Sequence, residues 1–82
     1  MVNTTPTGET GNYISAYDYA AQVLITARVN DGDDYITLDY LYKTLGANDT
    51  AKQTAVRWGR NAARKAGLIA KTDVRGVYRV VK

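Results

Sequence analysis

Turn-forming residues cut this chain at four places, and those cuts fix the order of its elements. They are Asn30-Asp31-Gly32-Asp33-Asp34, Gly46, Gly67 and Asp73-Val74-Arg75-Gly76. Gly46 and Gly67 each follow a run with helical spacing, where glycine accepts the left-handed backbone that ends a helix. Asp73–Gly76 separates two runs rich in Val, Ile and Tyr and reads as a hairpin turn. An 82-residue chain cut this way makes one small domain.

The segments can be read in order. Residues 1–13 are mostly Thr, Gly and Asn around Pro6, the only proline, and are expected to be a disordered tail ahead of one domain over residues 14–82. Ser15 and Asp18 have capping-box spacing, and Tyr17, Ala20, Ala21, Leu24 and Ala27 then follow a helical period to about Val29. Tyr35-Ile36-Thr37 is a short β-prone stretch. Thr37 can cap a second helix with Leu38, Leu41 and Leu45 on one face. Thr50-Ala51-Lys52-Gln53 is a capping box for a third helix over 51–66, whose Arg64 and Lys65 suit the negative end of its dipole. Residues 68–72 and 77–81 read as two strands. The expected fold class is mainly α with a small β-hairpin, an α+β arrangement of three helices and a C-terminal hairpin.

Absent residue types exclude whole chemistries. With no Cys and no His, disulfides, ordinary zinc ligand sets and thiol or imidazole catalysis are excluded. The Asp-rich loop at 31–34 lacks the distal Glu of a calcium loop, since no Glu follows Glu9. No Asp and Tyr pair stands at a helix terminus or glycine loop that would activate it. No enzyme activity, metal, cofactor or small-molecule effector is therefore expected. No run approaches the roughly 20 apolar residues of a membrane span, and no signal peptide is visible. The expectation is a soluble cytoplasmic protein.

Charge is split along the chain. Residues 51–82 carry nine Lys/Arg and one acid, Asp73, while the first fifty carry Arg28 and Lys43 against seven acids. A modest net +3 thus hides a strongly basic half, a pointer to nucleic acid or an acidic partner. On a wheel at about 100° per residue, the third helix puts Ala51, Ala55, Val56, Trp58, Gly59, Ala62, Ala63 and Ala66 on one side. Gln53, Thr54, Arg57, Arg60, Asn61, Arg64 and Lys65 fill the other. A solvated face normally mixes signs, and this one has no acids. Arg can bridge guanine O6 and N7, and Asn or Gln adenine N6 and N7, so such a stripe suits a DNA major groove. The candidate DNA-binding residues are Thr50, Lys52, Gln53, Thr54, Arg57, Arg60, Asn61, Arg64, Lys71 and Arg75.

Some residues have two readings. Trp58, at the edge of the apolar arc, is assigned to packing against the first helix in preference to base stacking. Tyr17 and Tyr78 are expected inside, and Tyr40 and Tyr42 partly exposed. Arg79 either binds a phosphate or protects a sheet edge, with nothing to choose between them. The acidic stretch from Asp31 to Asp39 is most simply a solvated face.

The order helix, short strand, helix, turn, helix, hairpin resembles the winged helix-turn-helix superfamily over residues 15–82. Locally the chain is similar to the DNA-binding domain of GntR-type repressors. The resemblance rests on Leu41, Leu45 and Gly46 at the second helix, Val56-Arg57 in the third, Gly67-Leu68-Ile69 at its exit, and Arg75-Gly76-Val77-Tyr78 at the wing. It departs from that family in a longer span from Gly46 to Val56, and in Arg60, which stands where the family has a core leucine. The resemblance implies that the third helix reads the major groove of double-stranded DNA and that residues 68–82 form the wing. It implies Gln53, Thr54, Arg57 and Asn61 at DNA, with Arg75 at an adjacent groove or phosphate. The function so implied is that of a small transcription regulator or mobile-element accessory factor, a monomer or a weak DNA-assisted dimer. The alternative is a protein-interaction winged helix, or small inhibitor, docking an acidic partner through the same basic face.

Overall fold

The computed structural model describes residues 6–82, with side chains from Ser15 onward. The elements run α1 (Pro6–Asn30), β1 (Tyr35–Thr37), α2 (Leu38–Leu45), α3 (Thr50–Lys65), β2 (Ile69–Lys71) and β3 (Val77–Val80). Three helices and a three-stranded antiparallel sheet form a winged-helix arrangement.

The turn residues act as their types dictate. Gly46 and Gly67 have φ of 69° and 80°, and Gly32 after α1 has φ 84°. All three helices close in the same way. The glycine N–H reaches back to Val29, Lys43 or Arg64, and the next N–H reaches one residue further, to Arg28, Tyr42 or Ala63. This paired bonding satisfies carbonyls that a helix end otherwise leaves open. Thr37 caps α2 as expected, its hydroxyl accepting from Tyr40 N at 3.0 Å.

Two helix starts differ from the sequence reading. α1 runs through Ser15 and begins at Pro6, so residues 6–13 of the expected tail lie in its first turns, while residues 1–5 lie outside the described residues. Proline suits a first helical position. Asp18 makes no cap; its carboxylate accepts from Gln22 Nε2 at 3.0 Å, one helical turn on. The cap of α3 is Asp49, whose carboxylate accepts from Lys52 N at 2.9 Å, and Thr50 is already the first helical residue. An Asp one position earlier offers the same acceptor geometry with a full negative charge at the positive end of the dipole.

The sheet order is β1-β3-β2. Tyr35, Ile36 and Thr37 pair with Arg79, Tyr78 and Val77, and Ile69, Ala70 and Lys71 pair with Val80, Arg79 and Tyr78. Strand alternation turns Ile36, Ile69, Tyr78 and Val80 inward and leaves Tyr35 and Arg79 on the outer face. β3 is thus the central strand, which removes the edge-protecting role for Arg79.

Inside, Ile25, Leu41 and Val56 are fully buried, one from each helix. Each contributes about 1.5–3 kcal/mol relative to an exposed side chain. Leu38, Leu45, Tyr17, Leu24 and Leu68 pack around them half-buried. Tyr17 is therefore at the rim of the core, whereas Tyr78 is buried as expected, and Tyr40 and Tyr42 are partly exposed. α3 lies so close to α1 that a Cβ on Gly59 would stand 2.4 Å from Asp18 O and 2.7 Å from Ala21 Cβ. Small residues on the buried face of α3 allow this approach.

Candidate nucleic-acid interface

The contact with α1 decides which side of α3 meets solvent. With Ala55, Val56, Gly59 and Ala63 buried, the opposite side presents the polar row. Arg64 and Lys65 are exposed at its C-terminal end, with Asn61 half-buried beside them. These three line an open depression of about 320 Å³.

The earlier part of the row is held in place. Arg57 donates to the Tyr42 hydroxyl of α2 at 3.2 Å and to Thr54 Oγ1 at 3.1 Å. Thr54 in turn donates to the Thr50 carbonyl at 2.8 Å. Arg60 donates to the Tyr78 hydroxyl of β3 and lies over its ring, with the guanidinium carbon 5.2 Å from the centroid. Its Nε also donates to Asn61 Oδ1 at 3.0 Å. An arginine can sit at the edge of a core this way, because its stem packs while its head finds a hydroxyl at the rim.

Lys52 and Gln53 serve the turn before α3. Gln53 Nε2 donates to the Ala47 carbonyl at 3.1 Å, bridging the α2–α3 connection. Lys52 reaches Asp49 at 3.7 Å, Asn48 Oδ1 at 3.4 Å and the face of Tyr17 at 5.7 Å. The outward row is therefore Arg57, Arg60, Asn61, Arg64 and Lys65, with Thr50 and Thr54 at its start.

The hairpin adds a second basic element. Lys71 and Arg75 are exposed. Its turn is built by Thr72, whose Oγ1 accepts from Val74 N at 3.1 Å and donates to the Val77 carbonyl at 2.8 Å. Gly76 has φ 77°, and its carbonyl accepts from Leu38 N at 2.9 Å, which ties the turn to the first residue of α2. Arg75 is thereby presented from an anchored loop.

Ion pairing uses few of the cations of the basic half. Among the described residues every ion pair uses Arg28, Lys43, Lys52 or Lys82. Their partners are Asp31 and Asp33, Asp39, Asp49 and Asp34 respectively. The acidic stretch is thus largely answered by solvent-exposed pairs, local in sequence except for Asp34 with Lys82, each worth little in stability. Arg57, Arg60, Arg64, Lys65, Lys71, Arg75 and Arg79 have no carboxylate partner among the described residues.

Two residues of this surface are not among the binding candidates named from the sequence. Lys65 belongs with Arg64 by position. Trp58 is 51% exposed, against the expectation that it packs on α1.

No protein-family model, curated protein or solved structure matches this chain. Among the described residues no three of His, Cys, Asp and Glu come together in a way that could hold a metal ion. None of their helices is long and apolar enough to cross a membrane.

Proposed function

We propose that this chain binds double-stranded DNA, with α3 in the major groove and the hairpin against the adjacent backbone, as a small cytoplasmic transcription regulator or mobile-element accessory factor. The observation that carries this reading is the set Arg57, Arg60, Arg64, Lys65, Lys71, Arg75 and Arg79, which have no counter-charge among the described residues, while Asp31, Asp33, Asp34 and Asp39 are paired with other cations. A polyanion supplies the missing charge, and release of its counterions drives association. Winged-helix architecture and the similarity to GntR-type domains agree with this assignment. The anchoring of Arg57 and Arg60 by tyrosine hydroxyls favours specificity, since a held guanidinium loses less freedom on meeting a base edge.

The test is a duplex titration at several salt concentrations. If about five to seven phosphates are neutralised, log K falls against log salt with a slope of about −4.5 to −6. A slope near zero, or no complex at low salt with micromolar protein, refutes duplex binding. That result would leave an acidic protein as the partner of the same face.

A further inference from the structure

We propose that Trp58 reads the 5-methyl group of thymine, so that α3 prefers A·T pairs at the base steps it covers. This rests on the duplex-binding reading and adds to it a named base contact.

Trp58 is the only tryptophan in the chain and stands half-exposed in the middle of α3. Helical spacing places Thr54, Asn61 and Lys65 beside it, four residues before and three and seven after. The indole therefore borders the basic row. Its N–H makes no bond to the described residues, so the packed fold does not require this side chain for its polar group.

The chemistry of the major groove narrows what such a ring can meet. Base edges there present donors and acceptors, and the thymine methyl is the one apolar group among them. A row of Arg, Asn and Lys matches the polar marks, and a large apolar ring within the same row matches the methyl. Stacking is a poorer fit, because in an intact duplex both faces of each base are already covered by its neighbours.

Asn61 completes the argument. Its Oδ1 already accepts from Arg60 Nε, which orients the amide. The second lone pair of that oxygen and the NH₂ group remain for adenine N6 and N7. Trp58 and Asn61 lie on the same outer side of the helix, so one can meet the methyl and the other the adenine edge of A·T pairs.

The experiment compares two duplexes of alternating sequence, one of A·T pairs and one with every thymine replaced by uracil. Affinity for the full-length protein is read by anisotropy at low salt. The wild type is expected to bind the thymine duplex about fourfold more tightly for each methyl contacted, the value of one buried methylene-sized group. Trp58→Ala should bind both duplexes equally, near the wild-type affinity for uracil. Trp58→Gln, a helix-compatible polar replacement, should behave the same way and guards against misfolding of the first variant. The proposal is overturned if the wild type binds both duplexes alike, or if the preference persists in both variants. Tighter binding to single-stranded DNA with strong Trp58 quenching would also overturn it, in favour of stacking. Duplex binding that ignores the methyl sinks this inference alone, whereas no duplex binding at all removes it together with the reading beneath it.

Discussion

Gly59→Ala is a sharp test of the α1–α3 contact, because two effects of known size oppose each other there. In an isolated helix the substitution is favourable by about 1 kcal/mol, since alanine is the better helix former. In this fold the new methyl would stand 2.4 Å from Asp18 O and 2.7 Å from Ala21 Cβ. Ordinary van der Waals contact begins at 3.4 Å, so the helices must separate by about 1 Å. The nearest obstacle is helix backbone, which cannot rotate away as a long side chain would. Overpacking of this kind costs about 1–3 kcal/mol, with a rigid backbone obstacle at the upper end. After the gain in helix preference, the net loss is about 1–2 kcal/mol, or a Tm lower by about 4–15 °C for a domain of this size. Urea and thermal unfolding followed by circular dichroism measure it. An unchanged or higher midpoint would mean that helix preference alone operates and that α1 and α3 do not approach this closely.

Two further substitutions test local devices. Asp49→Ala removes the carboxylate that accepts from Lys52 N and should lower stability by about 1 kcal/mol in urea unfolding, whereas Thr50→Ala, which removes only the residue first expected to cap, should change it little. Tyr78→Phe keeps the buried ring but deletes the acceptor for Arg60; it should lose about 1 kcal/mol in the same assay, and its preference among duplex sequences should weaken as Arg60 is no longer held.

The parts of the fold that were legible in the sequence are those set by local rules. Thr37, Gly46 and Gly67 each fulfil a cap or stop whose chemistry involves neighbours only. The spacing of Leu38, Leu41 and Leu45 located the buried face of α2 for the same reason. What stayed hidden depends on where distant elements come to lie. Nothing near Arg79 announces that β1 joins the sheet on the far side of β3, so an edge role looked as sound as any other. Arg60 reads as one more outward cation until Tyr78 is brought beneath it. Trp58 read as core because its size argues for burial, whereas the packed fold leaves it half-exposed at the edge of the α3 contact face. In the candidate site, the sign and side of the charge were readable from the α3 wheel. The division of labour within it, with Lys52 and Gln53 holding the turn and Arg57 and Arg60 steadied by tyrosines, required the tertiary structure.

The position of β3 bears on how the fold comes apart. Both ladders run through Val77–Val80, and Ile36 must find Tyr78 across forty-two residues of chain. The helices and the hairpin close their backbone bonds with near neighbours in sequence, but β1 has no strand to pair with until β3 is in place, and long-range pairing of this kind is slow to form. The wing is accordingly no detachable flap. Peeling β3 away would strip β1 and β2 of their partner at once, expose Tyr78 and Val80, and draw the Gly76 carbonyl from the first amide of α2. Amide protons of β3 should therefore exchange with solvent only when the whole domain opens.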